Sequence, residues 1–221
     1  MRGDPQYLTP TVFMVDDDKS VLVSLARLLR SAGYQVEQFG SAEELLLYRR
    51  KFPDVPGCAI VDLQLPGLSG LELQESLRQQ KDGLPVIFLT GHGDIPTSVR
   101  AMKSNAVDFL TKPVCDMDLL AAVERAVTTD AEAREARIQK DEIQARYEQL
   151  TPREREVMAL VVRGLLNKQI AFELGTVERT IKAHRAKIMA KMQVQSVAEL
   201  VQLTSYLDEV VSGEWPVASG K

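Results

Sequence analysis

Residues 58–70 read CAIVDLQLPGLSG, and the fold turns on this stretch. Cys58–Val61 is a short apolar run without alternation, the pattern of a strand covered on both faces. It ends on an acid, Asp62, and LPGLSG then turns the chain. Comparable β-rich runs stand at Val12–Val15, Gln35–Phe39, Val86–Leu89 and Asp108–Leu110. Apolar residues at helical spacing, such as Val21, Leu22, Leu25, Leu28 and Leu29, fill the gaps between them. Ser41 with Glu44 reads as a capping box, Gly33 as a helix end and Asp116 as the cap of the last helix of this part. Five such β/α units imply an α/β domain with a five-stranded parallel sheet covered on both faces.

The chain has 221 residues, 45% of them apolar, and a formal net charge of −4. That length accommodates two ordinary domains. No apolar run approaches the ~20 residues of a membrane span, and the opening MRGDPQYLTP lacks a signal-peptide core. A cytoplasmic protein without membrane contact is the expectation. Cys58 and Cys115 have no metal-ligand spacing and are expected to be reduced and partly buried. Charge is unevenly placed: residues 11–127 carry 16 acids against 12 bases, and residues 148–207 nine bases against six acids. An acidic front and a basic rear suggest two tasks.

In open α/β sheets, sites gather at the carboxyl ends of the strands. Here the first strand runs into Asp16 and Asp17, the third into Asp62, the fourth into Thr90 and the fifth into Thr111, Lys112 and Pro113. Three carboxylates, a hydroxyl and an ammonium therefore converge on one edge. Packed carboxylates repel, so the cluster calls for a hard cation with oxygen ligands, and Mg2+ suits phosphate chemistry. Asp62 is the candidate nucleophile for a phosphoryl group, with the metal and Lys112 offsetting charge and Thr90 bonding one phosphoryl oxygen. Gly91 and Gly93 make the loop after Thr90 compliant. Asp18 reads as a helix cap, Thr111 as a strand-end residue and His92 as part of a loop.

Over residues 11–127 the stretches VDDD, IVDLQLPGLSG, VIFLTGHGDIP and AVDFLTKPV resemble the receiver domain of response regulators. The resemblance implies a flavodoxin-like strand order. It also implies metal ligation by Asp16, Asp17, Asp62 and the Gln64 backbone carbonyl, with Asp62 the phospho-acceptor. Thr90 and Phe109 would be switch residues, Lys112 a phosphate contact, and Lys112–Pro113 a cis bond. The family's mechanism has phosphorylation remodel the face made by the helix between the fourth and fifth strands, the fifth strand and the helix after it.

Residues 128–147, rich in Ala, Glu, Arg and Gln, read as a helical linker. Ile138, Ile143 and Tyr147 are its sparse apolar points, suited either to a partner helix or to a mostly solvated helix. Residues 148–207 show no strand signal. Thr151, Pro152 and Glu154 open one helix, which ends at Gly164; Asn167–Leu174 forms a second, stopped by Gly175; a third runs from about Val177 to Met192; Ser196 and Glu199 open a fourth. Four short helices with a tight glycine turn before the third suggest an all-α helix-turn-helix domain. Ile181, Ile188 and Met192 form the core side of the third helix. Arg179, Lys182, Ala183, Arg185 and Ala186 spread over its other sides and, with Thr180, Lys187 and Lys168, are the candidate DNA contacts. The tail 208–221 is expected to be loose.

The stretches LTPREREVMALVVRGLLNKQIAFELG and ERTIKAHRAKIMAKM resemble the LuxR-type helix-turn-helix. With its receiver, the chain is similar to the FixJ/NarL subfamily, nearer the FixJ branch by TGHGDIP and AMKSNAVDFLTKP. The resemblance implies a sensor histidine kinase as phosphodonor, a homodimer on activation, double-stranded promoter DNA as ligand and RNA polymerase as a further partner. His184 matches a histidine frequent in the family, with a packing or phosphate-contact role. Val177 stands where the family has serine, so Thr176 is expected to cap the third helix, and Gln193 stands where glycine is frequent. Two rivals compete: an aspartate-nucleophile phosphatase, and a DNA-binding regulator that ignores phosphorylation.

Overall fold

The protein is described by a computed structural model over residues 9–80, 83–91 and 106–207. The expectations for His92, Gly93, the helix between the fourth and fifth strands and the tail 208–221 lie outside these residues. The chain divides into two compact units, 1–134 and 135–221.

In the first unit the strands are β1 (Thr11–Val15), β2 (Gln35–Phe39), β3 (Gly57–Asp62), β4 (Val86–Thr90) and β5 (Asp108–Thr111). All pairs are parallel, in the order β2-β1-β3-β4-β5. The helices that begin here are α1 (Lys19–Ser31), α2 (Ala42–Lys51), α3 (Gly70–Gln79) and α4 (Asp116–Glu148). Burial explains the sequence pattern. β1, β3 and β4 are buried at every residue, while the edge strands β2 and β5 are not. The two-residue side-chain period splits the interior into two layers. Phe13, Val15, Ala59, Val61 and Phe88 meet Leu45 of α2 and Leu73 and Leu77 of α3. Val12, Met14, Cys58, Ile60, Ile87 and Leu89 meet Leu22, Ala26 and Leu29 of α1 and Leu119, Ala122, Val123 and Ala126 of α4. Burial raises the Cys58 thiol to about 12, whereas Cys115 is exposed rather than partly buried.

The helix starts show how far local signals reach. Asp18 caps α1 by accepting from Ser20 N–H. Ser41 accepts from Glu44 N–H, but the Glu44 carboxylate takes Gly40 N–H instead of closing a box. Ser69 and Glu72 do form a full capping box, on α3. Asp116 is the first residue of α4 rather than a side-chain cap in front of it.

The linker expectation resolves into one continuous helix, because α4 runs unbroken through residues 116–148. Its stretch 130–134 is fastened to the loop before β3. Asp130 Oδ2 accepts Gly57 N–H at 2.8 Å and Arg134 Nε–H at 2.7 Å. Arg134 also donates to the Asp54 and Val55 carbonyls, and buried Arg49 donates to Pro53 and Val55. These bonds satisfy a turn whose backbone is drawn tightly against β1.

The second unit is helical: α5 (Pro152–Val162), α6 (Asn167–Glu173), α7 (Glu178–Met192) and α8 (Val197–Thr204). Ile143 and Tyr147 of α4 belong to its core, with Leu150, Val157, Ile170, Ile181, Ile188, Met192 and Leu200. Ile138 is exposed. Thr151 and Glu154 close a full capping box on α5, with Pro152 at the first helical turn. Ser196 caps α8, while Glu199 reaches Gln195 N–H, one residue before the cap. Gln193 ends α7 with φ 56°, a left-handed conformation that costs a side-chain-bearing residue roughly 1 kcal/mol. The cap expected from Thr176 does not form. Val177 is the N-cap and makes no side-chain cap bond, so the first turn of α7 is closed by the Val177 carbonyl accepting from Thr180 and Ile181 N–H.

The backbone makes an asymmetric prediction for two glycines. A Cβ on Gly57 would lie 1.8 Å from the Thr11 carbonyl oxygen, while one on Gly33 (φ +92°) meets open space. Gly57→Ala should lose about 3 kcal/mol or more, and Gly33→Ala about 1 kcal/mol from φ strain alone. Urea unfolding followed by circular dichroism distinguishes them; equal losses would contradict the close approach.

Candidate functional site

β1 and β3 are neighbours, with Val15 opposite Val61. Asp16, Asp17 and Asp62 therefore leave the sheet side by side at its carboxyl edge. Strand order reverses between β1 and β3, the switch point at which open α/β sheets hold ligands. One carboxylate oxygen from each of the three acids lies within 4.8 Å of the others. Asp16 is 2% exposed and Asp62 8%, while Asp17 faces solvent.

Backbone bonds divide the work of the buried oxygens. Asp16 Oδ1 accepts Asp18 N–H and Asp62 Oδ1 accepts Gln64 N–H, each at 2.9 Å. Both Oδ2 atoms are 2.6 Å from Lys112 Nζ, which donates to each. Burial pushes the Lys112 ammonium down, and the two carboxylates outweigh this and hold its pKa above the ordinary lysine value. Lys112 N–H donates to the Thr90 carbonyl at 2.7 Å, so the lysine is hooked to the end of β4, and the Lys112–Pro113 bond is cis. Thr90 is buried as the last residue of β4. Phe109 is half-buried against the core layer that holds Phe88. Gln64 and Thr111 are exposed.

Sequence reading missed two features. Lys112 bridges Asp16 as well as Asp62, a contact across 96 residues that no local pattern signals. Gly70, first residue of α3, approaches β3 so closely that a Cβ would fall 2.5 Å from the Asp62 carbonyl oxygen. The glycine at the end of LPGLSG was its only trace. Chemically, three carboxylates with one solvent-facing member form an all-oxygen donor set suited to a hard divalent cation.

The second candidate site is α7. Ile181, Ile188 and Met192 are buried, and Arg179, Lys182, Ala183, Ala186 and Lys187 are exposed. Thr180 and Arg185 are half-buried, and Lys168 is exposed on α6. His184 Nδ1 is buried without a hydrogen-bond partner among the described residues. Lys191 points inward: its ammonium donates to buried Glu154 at 2.6 Å and to the Gln149 carbonyl at 3.1 Å. Burial disfavours the Glu154 carboxylate, but Lys191 and the Thr151 bonds outweigh it and hold its pKa below the ordinary 4.5.

An acidic pocket at the switch point of a parallel sheet, with a helix-turn-helix carrying a basic outer face, defines a signal-receiving DNA-binding regulator. Comparison with known proteins agrees. Residues 12–124 match the response regulator receiver domain and residues 148–204 the bacterial regulatory proteins of the luxR family. The chain is 48% identical over 196 residues to Nodulation protein W of Bradyrhizobium diazoefficiens, covering 89% of this chain and 86% of that protein. It matches the structure of the response regulator StyR at 50% identity and TM-score 0.80, covering 89% of this chain and 98% of that one. Full-length FixJ from B. japonicum matches at 40% identity and TM-score 0.56, over 90% and 98% of the two chains. The chain belongs to the FixJ-like two-component response regulators, transcription regulators that join a receiver domain to a LuxR-type DNA-binding domain. Among the described residues no helix is long and apolar enough to cross a membrane.

The lowered Glu154 value sets a pH signature. Its stabilising contribution is complete above the unfolded value of 4.5 and fades as pH falls through the lower native value. Glu154→Gln should cost roughly 1–3 kcal/mol at neutral pH, and the gap to wild type should narrow as pH falls below 4.5. Urea midpoints across that range test this; a gap independent of pH would contradict the ionic role.

Proposed function

We propose that this regulator accepts a phosphoryl group on Asp62 from a sensor histidine kinase and, once phosphorylated, binds promoter DNA through α7. The observation that carries the first half is the pairing of buried Asp62 with both an acidic neighbour and Lys112 at 2.6 Å. A Asp62 carboxylate oxygen attacks phosphorus of the donor phosphohistidine, the N–P bond breaks, and the imidazole nitrogen keeps the electron pair and takes up a proton. Lys112, already a cation between carboxylates, neutralises charge on the transferring oxygens. The Thr90 hydroxyl then bonds a phosphoryl oxygen, and Phe109 follows the movement of β4 and β5.

Asp16, Asp17, Asp62 and the Gln64 carbonyl are the residues that would hold Mg2+. When bound, the ion supplies positive charge to the phosphoryl oxygens and relieves carboxylate repulsion. The first domain is taken as residues 11–127, the linker as 128–147 and the DNA-binding domain as 148–207. On DNA, Arg179, Thr180, Lys182, Ala183, Arg185, Ala186 and Lys187 of α7, with Lys168 of α6, form the contact surface. Activation pairs two chains on two half-sites, in the cytoplasm, where RNA polymerase is the downstream partner. Phosphorylation acts by favouring the conformation in which the pair forms.

Two outcomes test the receiver chemistry. Asp62→Ala should abolish labelling by acetyl phosphate in Mg2+ while leaving the fold intact by circular dichroism; labelling at the wild-type level would place the acceptor elsewhere. Lys112→Ala strips Asp16 and Asp62 of their shared cation. It should lower Tm by several degrees in EDTA, and added Mg2+ should raise Tm more than in wild type. A magnesium response no larger than that of wild type would contradict ion binding by these acids.

A further inference from the structure

The outward face of α7 is not uniformly cationic, and its layout divides the labour of DNA binding. At 3.6 residues per turn, Arg179, Ala183, Ala186 and Ala190 fall within about 60° of one another, opposite the buried line of Ile181 and Ile188. Lys182 and Lys187, five residues apart, flank this strip on either side, about 140° from each other. Glu178 stands on the Lys182 flank, its carboxylate 3.8 Å from Lys182 Nζ. The remaining bases of the run sit elsewhere. Lys191 is engaged with Glu154 and Gln149, and Arg185 is half-buried beyond the Lys182 flank. Arg179 has no hydrogen-bond or ion-pair partner among the described residues and stands in the first turn of the helix, the part that meets base edges when a recognition helix enters the major groove.

A helix in the major groove has base edges in front of it and one phosphate backbone on each side. On α7 the front carries one long donor followed by three methyl groups, and each side carries one lysine. The alanines let the backbone of α7 come close and offer only apolar contact, which suits a thymine methyl. The guanidinium presents the two-pronged donor that fits guanine O6 and N7. Resting on the DNA-binding reading above, we infer that Arg179 is the specificity-determining residue of α7, hydrogen-bonding a guanine in each half-site, with Ala183 and Ala186 against thymine methyls beside it. Lys182 and Lys187 hold opposite phosphate backbones and carry affinity without sequence information. The half-site is thus read by a single two-pronged hydrogen bond plus methyl contacts.

The test uses the full chain treated with acetyl phosphate and Mg2+. Wild type first selects from a pool of randomised duplexes, and affinities are then measured for the selected duplex and its single-base-pair variants over a salt series. One guanine position should discriminate by roughly 5- to 150-fold in wild type. Arg179→Lys should erase that discrimination while keeping the salt slope. Lys182→Ala and Lys187→Ala should weaken every duplex alike and each reduce the salt slope by about one. All three side chains are exposed or on the helix surface, so circular dichroism should be unchanged. Undiminished guanine discrimination in Arg179→Lys, or its loss in a lysine variant, overturns the inference while leaving DNA binding intact. Failure of wild type to enrich any duplex overturns the DNA-binding reading itself, and the inference with it.

Discussion

Three carboxylates forced together at one sheet edge are the constraint on which the receiver depends. Asp16 and Asp62 are buried beside each other because β1 and β3 pair in parallel register, and mutual repulsion would open that edge if nothing compensated it. Lys112 compensates it directly, reaching both acids from the end of β5. The same ammonium is tied through its backbone to Thr90. Asp62 is therefore linked through Lys112 to the ends of β4 and β5. The three acids and their lysine thus form a small electrostatic balance, in which one ammonium offsets two buried carboxylates.

The DNA-binding unit rests on a different kind of balance. α7 must expose a charged face while keeping Ile181, Ile188 and Met192 buried. Its end is anchored through Lys191, which serves Glu154 and the capping box of α5 instead of solvent. A base in a cationic run thereby becomes part of the scaffold. The start of α7, by contrast, has no side-chain cap: the Val177 carbonyl accepts the first-turn N–H groups and its side chain is 64% exposed. The linker helix contributes at both ends, with Asp130 and Arg134 in the receiver's hydrogen bonding and Ile143 and Tyr147 in the core of the helical unit.

Much of this was legible in the sequence because the signals were local. The strand runs, the 3.6-residue repeats, and the Thr151 and Ser196 caps each depend on residues a few positions apart. The strand ends placed Asp62 and Thr90 at the sheet edge, one residue short of their actual inclusion in β3 and β4. What escaped was set either by backbone geometry at the helix starts or by partners far away in the chain. Glu44 and Glu199 each bond one residue before the cap because the preceding turn presents its N–H there. Asp116 begins a helix instead of capping it. Val177 replaces a capping side chain with backbone bonds alone. The Asp130–Gly57 bond joins residues 73 apart, and the inward turn of Lys191 depends on Glu154, 37 residues earlier. No periodicity or spacing encodes such pairs.

In the proposed function the charge state of Asp62 governs DNA occupancy by α7. Mapping of bound DNA in cells carrying wild type or Asp62→Asn, with the kinase stimulated, measures this directly. Wild type should occupy a defined set of promoters that the variant leaves largely empty at equal protein level. The same promoters filled to the same extent by both chains would show that the two units act independently and would contradict the coupling.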